Sequence, residues 1–440
     1  TLPFSLMGVL SGALRQCLSQ APDQLDQLAA FIDRSWIEQA LQSTGKASIR
    51  RRKLPAEHAV WLVIGLALFR NLPLWQVVDQ LALCLHDRPL PAPSASVQAR
   101  QRLGVEPLQE LFHLLANAWT RHQTQPMAGL RILAVDGCVW NVPDTPENRS
   151  SLGSPSTQYG PSSWPQVRAV CLMDTQTHGL LDAHISGIQQ GELTLAANLQ
   201  APDHTLTVFD RAYFSAAFLL DWQSKGQQRH WLIRAKDNLR HEVIQTLAKG
   251  DWLVSMPISL RARQLHPHLP THWQARLVEL EIDGKRRRYL TSLQHGVSRA
   301  QLAKLYVQRW EIELGFREIK QSMLSSEPVM RSKQPQLVLQ ELWGTLIAYQ
   351  LLRRWLNQMA QRVKQPANRM AFEASSYAIV NILRFANLFA PANIPKELEH
   401  LLQQAHLFVL PPRRQHRPPQ PRAVKRTQSK YPKKKCQSVA

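Results

Sequence analysis

The sequence has 440 residues, 44% of them hydrophobic, too long for one compact core and too apolar for a disordered chain, so several globular domains are expected. A formal charge of +21, from 53 Lys+Arg against 32 Asp+Glu, calls for a polyanionic partner, and nucleic acid is the commonest. Five cysteines lie scattered without CxxC or Cys/His metal spacing, which excludes a zinc finger and suits the reduced thiols of a cytoplasmic protein.

Residues 1–122 read as all-helical, and this region is the expected DNA-binding domain. The opening "TLPFSLMGVLSGALRQ" has no basic stretch before its apolar part and makes a poor signal peptide. Apolar residues recur at helical spacing through "ALRQCLSQAPDQLDQLAAFIDRSWIEQALQ" and again through "EHAVWLVIGLALFRNLPLWQVVDQLAL". The most apolar run, Ala59 to Phe69, stops after eleven residues at Arg70, whereas a bilayer span needs roughly 20, so no membrane partner is expected. Between the two helical stretches Arg50, Arg51, Arg52 and Lys53 stand in a row. After the Pro-broken loop "RPLPAPSAS", a short helix carries Gln98, Arg100, Gln101 and Arg102, then stops at Gly104 before another helix, which suits a helix-turn-helix-like reader. An ordinary bundle helix fits the same residues, and only the neighbouring basic run favours DNA.

The pattern changes near Gly129. "LRILAVDGCVWNVP", "QVRAVCLMDTQTHGLLDAHISGI" and "HTLTVFDRAYF" are β-branched or apolar runs bounded by turn residues. Residues 123–240 thus read as three strands joined by short hairpins, then helix, strand, helix, strand, which makes a mixed sheet. Asp136 ends the apolar run "RILAV" and Asp210 ends "TLTVF". Asp136-Gly137 also fits a hairpin turn, and Asp210 fits the N-cap of the helix after it. Arg211, beside Asp210, and Lys236, after the fifth strand, are candidate phosphate contacts or plain surface charge. Residues 241–297 are β-like again, with turns at "KGDW" and "IDGKRRR", and form an insertion before the next helix.

That helix, within residues 298–340, contains "YVQRWEIELGFREIK". At about 100° per residue, Tyr306, Arg309, Glu313 and Lys320 fall within roughly 60° of one another on one uninterrupted helix. Arg309 and Glu313 would also pair as i,i+4 neighbours on a solvated face. If the first and fourth strands lie side by side, Asp136 and Asp210 open at one edge, and the helix brings Glu313 to the same point. Three such carboxylates would raise one another's pKa, and two Mg²⁺ ions would relieve the repulsion and catalyse an in-line phosphoryl displacement. Mn²⁺ is the expected substitute. Residues 341–410 read as helical. Residues 411–440, with ten Lys/Arg, five Pro in the first eleven positions and no acid, read as a disordered basic tail; without them the charge is still +11.

The spacing Tyr, two residues, Arg, three residues, Glu, six residues, Lys resembles the signature of bacterial DDE transposases of the insertion-sequence-four family. Asp136 in "DGCVWNVPDTPEN" and Asp210 in "VFDRAYFS" also sit in contexts similar to that family, and the resemblance runs from the helical N-terminal region to about residue 360. It implies an α/β multidomain chain whose ribonuclease-H-like core carries the β-rich insertion ahead of the glutamate. It implies Asp136, Asp210 and Glu313 as catalytic metal ligands, with Tyr306, Arg309 and Lys320 holding DNA phosphates. It further implies cut-and-paste transposition in a bacterial, nucleoid-associated setting. A homodimer would bring the element's terminal inverted repeats together, cut through a hairpin intermediate, and join the 3′-OH ends to target DNA. An aromatic side chain would stack a flipped base, for which Trp310, Trp252 and Trp273 are candidates, each as readily a core residue. A structure-selective nuclease on the same core and a non-catalytic DNA-binding derivative are the alternatives.

Overall fold

The fold comes from a computed structural model, in which the structure describes residues 28–47, 54–81, 83, 92–120, 129–157, 160–161, 164–282, 284–325, 329–385 and 393–412. The basic run 50–53 and the tail from 413 lie outside the described residues. Among the described residues, five helices precede the sheet: α1 (Arg34–Ser43), α2 (Ala56–Leu68), α3 (Leu74–Gln80), α4 (Pro93–Leu103) and α5 (Glu106–Thr120). α2 is apolar on every side and accordingly buried from His58 to Ala67, while α5 is amphipathic and buries Leu108, Leu111, Phe112 and Leu115.

The core follows as β1 (Arg131–Asn141), α6 (Pro146–Leu152), β2 (Gln166–Asp174), β3 (Leu180–Gly187), α7 (Glu192–Ala196), β4 (Thr205–Phe209), α8 (Ala216–Ser224) and β5 (Arg229–Arg234). The insertion adds β6 (Glu242–Ala248), β7 (Asp251–Pro257), α9 (Leu260–Leu265), β8 (His272–Ile282) and β9 (Lys285–Thr291). These nine strands make one sheet in the order β3-β2-β1-β4-β5-β9-β8-β7-β6, and among the described residues a separate two-residue pair joins Ser156–Thr157 to Gly160–Pro161. β2 lies antiparallel between β1 and β3, β4 and β5 continue parallel to β1, and the helices α7 and α8 make the crossovers that parallel pairing requires. This is the expected ribonuclease-H-like arrangement. The insertion is not a separate β unit, because β9 pairs with β5 through Tyr289, Leu290 and Thr291. Two expectations are corrected. β1 runs on through Asp136 to Asn141, since its antiparallel partner β2 stays paired with it to Gln166. The connection from β1 to β2 is residues 142–165 with α6 inside it, and not a short hairpin.

β1 is buried on both faces, as the central strand of such a sheet must be. Leu133 and Val135 pack among residues of α7 and α8, while Ala134, Cys138 and Trp140 join the core that holds the C-terminal helices. The signature segment does not form one helix. α10 (Arg299–Val307) opens on a Ser298/Gln301 capping box and ends at Gln308; α11 (Trp310–Arg317) follows, and residues 318–323 are π-helical. At the first break the backbone tightens to i−3 bonds from Gln308 and Arg309, and at the second it widens to an i−5 bond from Leu324 to Ile319. Each break sits where an acid is drawn into the core, Glu311 at the start of α11 and Glu318 at its end. α12 (Pro335–Arg362) then runs through the middle of the helical layer, with α13 (Phe372–Arg384) and α14 (Ile394–Gln403) behind it. The N-terminal helices share one apolar core with α12, typified by Phe112 against Trp343 at 5.2 Å. The buried Arg70–Glu341 pair at 3.0 Å adds to the seam.

Candidate active site

Parallel pairing of β1 with β4 ends at Val135 opposite Phe209, so Asp136 and Asp210 are the first residues where the two strands part. Asp136 Oδ1 accepts from the Gly137 amide at 2.9 Å. Burial pushes its carboxyl up to about 7, the Glu192 and Glu313 carboxylates push the same way, and the Gly137 amide and Arg309 only partly offset them. Asp210 Oδ1 caps the 3₁₀ turn Arg211–Tyr213 by accepting from Ala212 N at 3.0 Å, whereas α8, the helix that the sequence suggests it caps, is capped by Ser215. Its Oδ2 faces Arg309 Nη1 at 3.7 Å, and the same Nη1 lies 2.7 Å from Glu313 Oε1. Arg309 is only 8% exposed, with its guanidinium 5.0 Å over the Trp310 ring. Asp210, Arg309 and Glu313 therefore meet at one point on the parting of β1 and β4, and Asp136 feels both Glu313 and Arg309.

Tyr306 packs at a tilt against Tyr289 of β9, ring centres 4.9 Å apart, and burial holds its phenol above the ordinary value, which keeps it a neutral hydrogen-bond donor. Lys320 sits in the π-helical segment, donates to Val139 O at 2.7 Å and lies 5.2 Å over the Trp140 ring, so it ties the end of α11 to β1. Trp310 is 54% exposed beside Arg309, Trp252 is half-buried, and Trp273 is buried against Trp231. Arg211 reaches Asp237 at 3.3 Å and Lys236 lies 4.8 Å over Phe214. Both line an open cavity of about 620 Å³ that also contains Asp210.

Arg100 is a correction. It is 4% exposed and bonds Gln340 Oε1 at 2.8 Å, Leu337 O at 3.0 Å and Ser332 Oγ at 3.1 Å, so it is a strut between α4 and α12 and not a DNA contact. Gln98, Gln101 and Arg102 form the exposed face of the same helix. Arg50, Arg51, Arg52 and Lys53 lie outside the described residues.

Two features escape a reading of spacing. One is Glu192, the first residue of α7, whose carboxylate accepts from Tyr213 OH at 2.5 Å next to Gly137. The other is a buried polar network behind α11. Arg353 Nη2 donates to His178 Nδ1 at 2.7 Å, which leaves the proton of His178 on Nε2, 2.8 Å from Glu311 Oε2. Glu318 accepts from Tyr349 OH at 2.8 Å and pairs with Arg353; burial pushes its carboxyl up, but Arg353 and His178 together more than offset it and hold that carboxyl down to about 2. Glu311 and Glu318 bracket Glu313, so the network grips both ends of its helix.

Among the described residues no three His, Cys, Asp or Glu side chains stand close enough to hold one ion. The donors nevertheless suit a hard divalent cation. They are carboxylate oxygens, crowded enough to raise Asp136, and a guanidinium already occupies the space between Asp210 and Glu313 where positive charge is needed.

Residues 22–113 match the family described as "Insertion element 4 transposase N-terminal", and residues 127–351 match "Transposase DDE domain". "Transposase InsG for insertion sequence element IS4" of Escherichia coli (strain K12) is 39% identical over 425 residues, 94% of this chain and 96% of that protein. "Putative transposase InsZ" of the same organism is 34% identical over 232 residues, 51% of this chain and 76% of that protein. A solved piggyBac transposase synaptic complex with hairpin DNA aligns with 90% of this chain and 87% of its own, at a TM-score of 0.42 and 11% identity, too slight a likeness to argue from. The chain belongs to the insertion element 4 family of DDE transposases, divalent-metal-dependent enzymes that act on DNA.

Proposed function

We propose that this transposase excises its element by cut and paste, nicking each end and resolving the opposite strand through a hairpin before joining the 3′-OH ends to target DNA. The observation that supports this most is the placement of Asp136 and Asp210 at the parting of β1 and β4, with Arg309 joining Asp210 to Glu313. On this reading Asp136, Asp210 and Glu313 hold two Mg²⁺ ions, for which Mn²⁺ substitutes. A divalent pair supplies Lewis-acid stabilisation of the attacking and leaving oxygens.

The remaining side chains serve the DNA. Arg309, held against Asp210 and Glu313, donates to a non-bridging phosphate oxygen on this reading, and Tyr306, a neutral phenol braced by Tyr289, adds a donor. Lys320 gives one N–H to Val139 O and lies beside the Cys138 thiol, which leaves a donor for a phosphate. Arg211 and Lys236 face the open cavity that leads to Asp210. Trp310 is the best placed of the three tryptophans to stack a flipped base, being exposed within the signature, whereas Trp273 is committed to the core. The exposed face of α4, with Arg102, and the basic run at 50–53 read the element's terminal repeats. A homodimer holds the two ends together.

A labelled end fragment incubated with purified protein and Mg²⁺ tests the reading. Hairpins followed by joined products are expected. Cuts without hairpins or joining would make the chain a nuclease, and a mobility shift alone would make it a binder.

A further inference from the structure

A fourth carboxylate reaches the opening of the sheet. α7 is the crossover helix between β3 and β4, and its first residue, Glu192, lays its carboxylate on the bare backbone of Gly137. A Cβ on Gly137 would meet Glu192 Cδ at 2.5 Å and Oε2 at 2.7 Å. Glycine in the interior of a central strand weakens it, and it is found where another group must approach closely. The other oxygen, Oε1, accepts at 2.5 Å from the hydroxyl of Tyr213, which is 2% exposed and ends the 3₁₀ turn that Asp210 caps. One oxygen of Glu192 is thus fixed from the Asp210 side, and the other lies against the residue that follows Asp136.

Asp136 stands where β1 has parted from β4 while it remains paired with Cys171 of β2. Glu313 approaches on α11, from the face of β1 that carries Ala134 and Cys138. Glu192 approaches on α7, from the face that carries Leu133 and Val135. We propose that Glu192 is a fourth acidic residue of the metal site, aligned by Tyr213 and admitted by Gly137. This rests on reading Asp136, Asp210 and Glu313 as metal ligands.

Glu192→Gln keeps the size of the side chain and an acceptor for Tyr213, and removes only the charge. Mn²⁺ binding to the full chain, followed by calorimetry and by electron paramagnetic resonance, should weaken about tenfold or more, with the melting temperature in chelator unchanged. Tyr213→Phe, which retains the carboxylate but frees it, should weaken binding by less; if Glu192→Gln melts early, Tyr213→Phe carries the test. Wild-type Mn²⁺ affinity in Glu192→Gln, alongside a loss in Glu313→Gln, would overturn the role of Glu192 alone. Wild-type affinity in both variants would overturn the three-ligand reading and this inference with it.

Discussion

At Asp136 the fold works against a charge it places there. Its carboxyl is raised to about 7, chiefly by burial, so the folded state holds a proton that the unfolded chain releases near pH 4. The sign follows: this residue's contribution is fully favourable below the unfolded pKa and is lost as pH rises through 7. Asp136→Asn should therefore stabilise the metal-free protein, by on the order of 1 kcal/mol or more at pH 8, with the gain shrinking toward pH 4. Chemical denaturation across that range checks it, and a gain that grew as pH fell would contradict the assigned cause. Arg309 is the opposite case, a cation that lies against Asp210 and Glu313. Arg309→Ala should slow cleavage by about tenfold or more, as for removal of one charge-stabilising donor, while Mn²⁺ affinity is unchanged or tighter because a competing positive charge is gone. Mn²⁺ binding as weak as in Glu313→Gln would mark Arg309 as a support of the ligands and not a phosphate contact. Asp136 and Asp210 are legible in the sequence as the acids that follow the apolar runs "RILAV" and "TLTVF", although β1 itself runs on past Asp136. Arg100 is misleading for a physical reason: a helix's charge pattern does not say which face is buried, and the partner that buries it, Gln340 on α12, lies far along the chain.

Among the elements, α11 carries the most consequence. Angular arithmetic over Tyr306–Lys320 assumes an unbroken helix, and the tight turn at Gln308–Arg309 and the π-helical turn after Arg317 break that assumption. Neither break is visible in the segment itself, because both depend on side chains from elsewhere, His178 after β2 and Arg353 on α12. The strand order, by contrast, is legible, since buried β-branched runs separated by amphipathic helices leave few alternatives. The buried network should stabilise the protein as well as position Glu313. Glu318→Gln leaves Arg353 buried without its counter-charge and should cost about 3 kcal/mol or more in urea unfolding. A loss under about 1 kcal/mol would mean that Arg353 is satisfied without Glu318.

For the whole molecule, the N-terminal helices, α12 and one face of the sheet share a single apolar core, and the insertion extends the sheet itself. Segments that look like separate domains in sequence are joined in the fold because α12, which begins more than two hundred residues after α5 ends, supplies their common partner. No helix among the described residues is long and apolar enough to cross a membrane. The charge excess suits a DNA partner. Deleting residues 411–440, with ten Lys/Arg and no acid, should flatten the slope of log affinity against log salt on random duplex, by roughly one unit for each phosphate the tail neutralises, and spare recognition of the element's ends. An unchanged slope would leave the tail outside DNA binding. The central claim, that Asp136, Asp210 and Glu313 form one metal-dependent cutting site, is tested most directly by Mg²⁺-dependent cleavage of an end-containing duplex by the three single alanine variants. The account predicts that each variant binds the duplex and leaves it uncut, and comparable cleavage by any one of them would contradict it.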